Sequence, residues 1–337
     1  MPALAVADAL RASGAEVVFV GGDRAEAELV PAAGYELRRI RVEGISRSSP
    51  LRAARALLLA GIALPRSLRL LAALRPDVVL GGGGYVAGPV GLAAVLRRTP
   101  LVLTEADSHL GLTNRLLARF ARRVCLAFAI EGRGGARYIV TGRPVPPPAT
   151  DRAAARARFG IAAEESCVLV FGGSLGARSI NRAAIEAFAS ASFRVLHAAG
   201  ARDLGELRVP GSHYDLRELI VPFGEALLAA DLVVARAGGS IFEIAAHGRP
   251  AVLIPYPHAS ADHQTANARW MAAAGAAIVI PDAELDGPRL AREVGTLLAD
   301  PGRLGAMGAA SVALARPDAA LLVAEEVLAA VRVRQAG

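Results

Sequence analysis

The chain alternates between short apolar runs rich in β-branched residues and longer stretches in which Ala and Leu recur at helical spacing. That alternation marks β–α–β units, whose parallel strands are joined by covering helices. In the first half it predicts strands near 17–20, 78–80, 101–103, 124–128 and 138–140. The second half restarts near 168–171 and continues through 195–197, 219–221, 232–234, 252–254 and 277–280, with closing helices at 288–299, 301–315 and 317–334. Between the halves stands the proline cluster Pro144-Val145-Pro146-Pro147-Pro148, which can extend neither a helix nor a central strand. The expected organisation is therefore a first α/β domain at 1–143, a hinge at 144–150, a second α/β domain at 151–316, and a terminal helix at 317–337 able to pack back on the first. Open parallel sheets bind ligands beyond the C-terminal ends of their strands, so the loops that follow strands deserve the closest reading.

Composition narrows the partners. The 337 residues are 53% hydrophobic but only 4% aromatic, which suits Ala/Leu helices over branched strands. All 38 basic residues are Arg, so a single Arg says little about function. A net charge of +7 favours anionic partners. No basic stripe is interleaved with aromatics and no zinc or recognition-helix pattern occurs, which argues against nucleic acid. Cys125 and Cys167 sit in apolar runs and read as buried, unpaired thiols. His258 and His263 share a loop without further ligands at metal spacing, so no metal is expected. The uncharged stretch 78–96 is long enough to span a bilayer, yet Gly81–Gly84 and Pro89 make it a strand, a glycine loop and a helix start. Asp8 and Arg11 interrupt any apolar leader.

Four loops carry candidate chemistry. Phe171-Gly172-Gly173-Ser174-Leu175-Gly176-Ala177-Arg178-Ser179-Ile180-Asn181 joins a strand to a helix. Its glycines allow close backbone approach, and free N–H groups of the first helical turn suit a diphosphate, with Ser174 as an added donor. Gly81-Gly82-Gly83-Gly84-Tyr85-Val86-Ala87-Gly88-Pro89 follows an earlier strand and reads as a second phosphate or sugar cradle. In Ala235-Arg236-Ala237-Gly238-Gly239-Ser240-Ile241-Phe242-Glu243, Ser240 and Glu243 have capping-box spacing, or Glu243 takes the ribose hydroxyls. In Pro255-Tyr256-Pro257-His258 and the following Asp262-His263-Gln264-Thr265-Ala266-Asn267, amides face a sugar, or Asp262 simply caps a helix.

Taken in order, these four motifs resemble the MurG family over positions 2 to about 330. The resemblance implies an α/β GT-B fold, with two Rossmann-like parallel-sheet domains facing a cleft. It implies an inverting hexosyltransferase that moves N-acetylglucosamine from UDP-N-acetylglucosamine, a donor substrate and not a cofactor. The acceptor would be the C4 hydroxyl of undecaprenyl-pyrophosphoryl-N-acetylmuramyl-pentapeptide, at the cytoplasmic face of the inner membrane, in a step tied to cell-wall growth, shape and division. By match, Gly173, Ser174, Arg178 and Asn181 belong to the diphosphate loop, and Phe223 and Gly224 flank the uracil. Gly238, Gly239, Ser240 and Glu243 take the ribose side, and Gln264 and Asn267 the donor sugar. Gly82, Gly83, Gly84, Tyr85 and Asn114 are expected at the acceptor.

The chain also departs from the family pattern. A strand and a Gly-Gly-Thr-Gly-Gly-His loop precede Pro-Ala-Leu-Ala in the family, so the resemblance implies a further segment ahead of Pro2. The family's His-Glu-Gln-Asn reads Thr104-Glu105-Ala106-Asp107 here, its Thr-Gly-Asn-Pro-Val-Arg ends in Pro146, a loop Ser becomes Ala87, and the Gly239–Glu243 loop is a residue shorter. Glu105 and Asp107, carboxylates at a strand end, are the candidate general bases. Between Arg47 and Arg75, Arg52, Arg55, Arg66 and Arg69 mix with Leu57, Leu58, Leu59, Ile62, Leu64 and Leu68, and Pro65 is expected to split two short helices. That mixture suits an anionic membrane surface or an ordinary sheet-covering helix. Two other readings stay open: a GT-B transferase with another lipid or small-molecule acceptor, and an inactive UDP-sugar-binding paralogue.

Overall fold

The computed structural model describes residues 2–23, 25–40, 50–259 and 262–335, with side chains given for all but 50–60 and 333–335. It comprises two compact units, Met1–Val145 together with Asp318–Gly337, and Pro146–Pro317. The first unit runs α1 (Pro2–Ala12), β1 (Val18–Gly21), α2 (Glu26–Ala32), β2 (Glu36–Arg39), α3 (Pro50–Leu74), β3 (Val79–Gly81), α4 (Gly84–Leu96), β4 (Leu101–Glu105), α5 (Leu112–Leu117), β5 (Arg123–Leu126) and β6 (Tyr138–Val140). The second runs α6 (Arg152–Arg158), β7 (Cys167–Phe171), α7 (Arg178–Ala187), β8 (Arg194–Ala198), β9 (Tyr214–Arg217), α8 (Phe223–Ala229), β10 (Leu232–Ala235), α9 (Ile241–Ala246), β11 (Ala251–Leu253), α10 (His263–Ala273), β12 (Ala277–Val279), α11 (Gly287–Leu298) and α12 (Pro301–Leu314). The last helix, α13 (Ala319–Gln335), belongs to the first unit.

In the first unit every strand pairing is parallel, but the strands form two sheets, β1-β2 and β3-β4-β5-β6. Among the described residues no ladder joins β1 to β3. Common helices cover both sheets. On one face Val6 and Leu10 of α1 and Val323 and Val327 of α13 pack over Val102 and Cys125 and reach Val17, Val78 and Leu80. Elsewhere Ala63 of α3 and Val90 of α4 cluster with Val20 of β1 and Val79 of β3. An Arg123–Glu326 ion pair of 2.9 Å also fastens α13 to β5.

The second unit holds one six-stranded parallel sheet in the order β12-β11-β10-β7-β8-β9. Its central strands are apolar on both faces and wholly buried, as expected of a parallel sheet covered twice by helices. The chain winds outward from β7 through β8 to β9, then returns to lay β10 against the other side of β7. This reversal places a switch point between β7 and β10, where Phe171 and Ala235 are register partners.

Several sequence expectations need correction. The strand expected at 219–221 is a loop with Leu219 and Val221 exposed, and the sheet's edge strand is β9 at Tyr214–Arg217, whose alternating polar residues hid it. Edge strand β2, with Glu36, Arg38 and Arg39, escaped for the same reason. Pro65 does not split a helix: α3 continues through it. Ala63, Leu64, Leu68 and Leu71, on both sides of Pro65, pack into the core, and that burial outweighs one lost backbone hydrogen bond. The glycine loop after β3 is shorter than expected, because α4 begins at Gly84 and takes up Tyr85 to Pro89.

Candidate functional site

At the switch point of the second unit, the loop after β7 has a shape that only glycine permits. A Cβ on Gly172 would lie 2.3 Å from the Ala177 nitrogen, and one on Gly176 would lie 1.9 Å from the Ala199 carbonyl oxygen. Gly173 and Gly176 also hold φ of +94° and +74°. The loop therefore folds tightly against the end of β8 and leaves Gly173, Ser174 and Leu175 exposed. Behind it α7 begins at Arg178, and its N-cap residue Ala177 makes no side-chain capping bond, so its first N–H groups lack a capping partner. A ten-residue helix ending this way offers partial positive charge to an anion.

Two residues expected at the donor instead support the loop. Asn181 is fully buried; its Nδ2 donates to the Ala199 carbonyl at 3.0 Å and to Asp203 at 3.2 Å. It therefore fixes the strand end against which Gly176 packs and has no surface for a ligand. Arg178 is engaged by Asp203 at 3.1 Å. His197 on β8 completes the network, lying 3.1 Å from Asn181 Oδ1 and 2.7 Å from the Tyr214 hydroxyl. Because the Asn181 amide nitrogen is already committed, its oxygen accepts from His197 Nε2–H, and the Tyr214 hydroxyl donates to Nδ1. Burial favours this neutral ring, lowering the His197 pKa to about 4, and pushes the Tyr214 hydroxyl up.

The loop after β10 faces the same switch point. Its Arg236 was not singled out from sequence, since every basic residue is Arg. The structure shows it buried, donating to the Ile254 and Pro255 carbonyls, each at 3.2 Å, to Asp282 at 2.5 Å and to Ser179 Oγ at 2.8 Å. One guanidinium thus ties α7 to the ends of β10, β11 and β12. Gly238, Gly239 and Ser240 are half-buried beside it. Ser240 does not cap α9: it has helical dihedrals, φ −64° and ψ −15°, and makes no capping bond. Asp262 caps nothing either; it has φ +53° and its carboxylate accepts from Thr265 at 2.6 Å. Gln264 Oε1 accepts from the Tyr256 N–H at 3.0 Å, and its Nε2 lies 3.9 Å from where a Gly238 Cβ would stand. Asn267 is buried and donates to the Ala237 carbonyl at 2.9 Å, a tie between α10 and the Gly238 loop. Phe223, at the start of α8, packs edge-on against Phe171 at 5.0 Å, with Gly224 close to His247. Cys167 on β7 is free and buried, its thiol pushed up to about 12 by burial.

In the first unit, the loops after β3 and β4 are tied into one cluster. Thr113 Oγ1 donates to the Gly84 carbonyl at 3.0 Å, and Asn114 Nδ2 donates to the Thr104 carbonyl and to Glu105, each at 2.9 Å. Gly83, with φ +77°, lies over Asn114, whose amide nitrogen would be 3.4 Å from a Gly83 Cβ. Glu105 also accepts from the N–H groups of Gly111 at 2.8 Å and Asp107 at 3.3 Å, and is buried. Its carboxylate, expected as a base, holds the β4–α5 loop through these bonds. The Asp107 carboxylate is half-exposed and makes no hydrogen bond among the described residues. His109, which sequence reading passed over, stands half-exposed two residues on. Gly82 and Gly84 are exposed and Tyr85 is partly so.

Two parallel-sheet units, one with an uncapped glycine loop at a switch point, define the GT-B class of nucleotide-sugar enzymes. Comparison with known proteins agrees: residues 1–126 match the glycosyltransferase family 28 N-terminal domain, and residues 167–323 match its C-terminal domain. The chain is 44% identical over 339 residues to the UDP-N-acetylglucosamine–N-acetylmuramyl-(pentapeptide) pyrophosphoryl-undecaprenol N-acetylglucosamine transferase of Alkalilimnicola ehrlichii, covering 96% of this chain and 93% of that one. It is 40% identical over 350 residues to the transferase of the same name from Moorella thermoacetica, covering 97% and 94%. The crystal structure of Acinetobacter baumannii MurG superposes with a TM-score of 0.76 at 28% identity, over 97% of this chain and 95% of that one. This chain belongs to the MurG family. A Neisseria meningitidis UDP-GlcNAc 2-epimerase bound to UDP-GlcNAc, 13% identical with a TM-score of 0.67 over 97% of this chain and 96% of that one, shares the fold alone.

Proposed function

We infer that this protein transfers N-acetylglucosamine from UDP-N-acetylglucosamine to undecaprenyl-pyrophosphoryl-N-acetylmuramyl-pentapeptide, attacking through the acceptor's C4 hydroxyl with inversion. The observation that carries the donor half is the Gly172–Gly176 loop at the uncapped start of α7. Preorganised N–H groups there stabilise the charge that develops on the departing UDP, and this is why we assign the reaction no metal cofactor. Phe223 and Gly224 are assigned to the uracil, Glu243 to the ribose and Gln264 to the sugar, with Asn181, Asn267 and Arg236 holding those groups in place. The first unit takes the acceptor at Gly82–Tyr85. Asp107 and His109 are its candidate bases, because Glu105 is consumed within the loop.

The acceptor's lipid requires contact with a membrane, which supports a peripheral location, and use of a UDP-sugar donor supports the cytoplasmic face. The expected membrane segment is Arg47–Arg75, of which 47–49 and the side chains of Arg52 and Arg55 lie outside the described residues. A better-described surface is on α4 and α5. Leu92, Leu96, Leu112, Leu116 and Phe120 are exposed there, with Arg97, Arg98, Arg115 and Arg119 exposed among them. Apolar side chains ringed by guanidinium groups suit an anionic bilayer surface. Among the described residues, the one helical window apolar enough to cross a membrane, Pro301–Arg332, is interrupted at 315–318, and its second half packs on α1. Incubation with UDP-N-acetylglucosamine and the lipid-linked acceptor should release UDP and form the disaccharide product. Release from UDP-glucose alone, or none with the lipid-linked acceptor, would overturn the assignment.

A further inference from the structure

The first unit contains a cavity of about 840 Å³ that the reaction as described does not use. It is lined by Asp23 after β1, by Arg38, Arg39 and Ile40 at the end of β2, and by Arg66, Arg69 and Leu70 of α3. Four arginines and a single carboxylate thus line it. Asp23 lies 3.6 Å from Arg39, and Arg38 is paired with Glu36 at 2.5 Å. Arg66 and Arg69, three residues apart on α3, have no ion pair among the described residues. Like charges gathered around a concave surface repel one another and focus a positive potential, which an anion relieves. Guanidinium groups match phosphoryl oxygens in bidentate geometry, and several around one space suit a group with more than one negative charge.

Position gives the cavity its meaning. Asp23 and Ile40 directly follow β1 and β2, so the cavity opens at the C-terminal edge of that sheet, where such sheets take ligands. It also adjoins the acceptor loop: the Tyr85 hydroxyl lies 3.7 Å from the point a Gly22 side chain would occupy, and Gly22 is the neighbour of Asp23. We propose that this arginine cavity binds a phosphoryl group of charge beyond −1, the diphosphate that links an acceptor sugar to its lipid. The assignment to the acceptor rests on the functional reading given above; the anion site itself does not.

The probe is inorganic pyrophosphate, titrated calorimetrically into the full chain with UDP saturating the second unit. Arg66→Gln with Arg69→Gln should weaken pyrophosphate at least tenfold while leaving UDP affinity and melting temperature unchanged. Arg182→Gln with Arg292→Gln, which removes equal charge from exposed sites in the other unit, should leave pyrophosphate affinity as it was. Equal losses from the two pairs, or no loss from the first, would overturn the site. Phosphatidylglycerol vesicles distinguish the source. Pyrophosphate loss with vesicle binding intact supports the acceptor's diphosphate, and loss of both supports a phosphoryl site shared with lipid headgroups. Vesicle loss with pyrophosphate affinity retained refutes the proposal. Since neither measurement involves turnover, failure of the transferase reading would not imitate any of these results.

Discussion

Gly176 packs so closely on Ala199 that a methyl group in place of its hydrogen would stand 1.9 Å from the Ala199 carbonyl oxygen. Asn181 Nδ2 holds that same oxygen at 3.0 Å, so it cannot retreat without breaking a buried bond. Gly173, three residues earlier, has φ +94° but open space around its missing side chain. The two positions therefore separate steric from conformational demand. Gly173→Ala should cost only backbone strain, about 1 kcal/mol. Gly176→Ala should displace the loop from β8 and weaken UDP at least tenfold by calorimetry. Comparable UDP affinity in both variants would mean that loop shape does not govern donor binding.

Substitution can separate the residues of the β4–α5 loop in the same way. Glu105→Ala strands three N–H donors, and should cost about 3 kcal/mol of stability, visible as a lower melting temperature. Asp107→Asn should leave melting unchanged and lower kcat by about 10²–10⁴ if Asp107 is the base. His109→Gln is the parallel test. A full kcat in both Asp107→Asn and His109→Gln would remove this loop from proton transfer.

The parallel cores were legible because Val168–Phe171 or Leu101–Leu103 cannot be mistaken for surface. The glycine loops were legible because each stands between such a run and a helix. What escaped were elements whose residues look polar in isolation. β2 and β9 are edge strands, with one side open to water, so Arg38 or Asp215 costs them little. Roles within the site escaped for a different reason. Asn181 and Ser174 look alike as polar residues of one motif, and only packing shows the first entombed and the second exposed. Arg236 was hidden by an all-Arg composition, and Glu105 looked free because its donors, Gly111 and Asn114, carry no sequence signal of that partnership.

The buried His197 predicts a pH dependence of stability. Its folded pKa, near 4, lies below the ordinary value of 6.5, so the unfolded chain binds the proton more readily. Stability from this group is complete above pH 6.5 and is lost as pH falls toward 4, a change on the order of 3 kcal/mol at most. Urea midpoints should fall between pH 7 and pH 4.5, and His197→Gln should flatten that slope while lowering stability at pH 7. An unchanged slope in the variant would assign the pH effect to other groups.

Membrane contact through α4 and α5 should be part electrostatic and part apolar. Replacing Arg97, Arg98, Arg115 and Arg119 with Gln should reduce cosedimentation with phosphatidylglycerol vesicles, and the remaining binding should respond less to salt, which screens charges beyond about 10 Å at 0.1 M. Leu112→Ser with Leu116→Ser should weaken binding at every salt concentration. Neither change should alter UDP affinity. Vesicle binding that survives both sets would move the contact elsewhere.

Glu243 and Ser240 give the sharpest test of the donor assignment, because the structure has already separated two roles the sequence left combined. In a capping box, Ser240→Ala would cost about 1 kcal/mol. Ser240 sits in helical dihedrals and caps nothing, so Ser240→Ala should leave the melting temperature within error. Glu243, half-buried one turn into α9, is assigned to the ribose hydroxyls. Glu243→Ala should therefore weaken UDP by about 1–3 kcal/mol, the usual effect of removing a charged hydrogen-bond partner. The chemical origin can be checked with 2′,3′-dideoxy-UDP: the unmodified protein should prefer UDP by tenfold or more, and Glu243→Ala should bind both equally. If the variant keeps that preference, the ribose contact lies elsewhere. If it binds UDP normally but melts early, Glu243 serves the fold of α9 and not the donor.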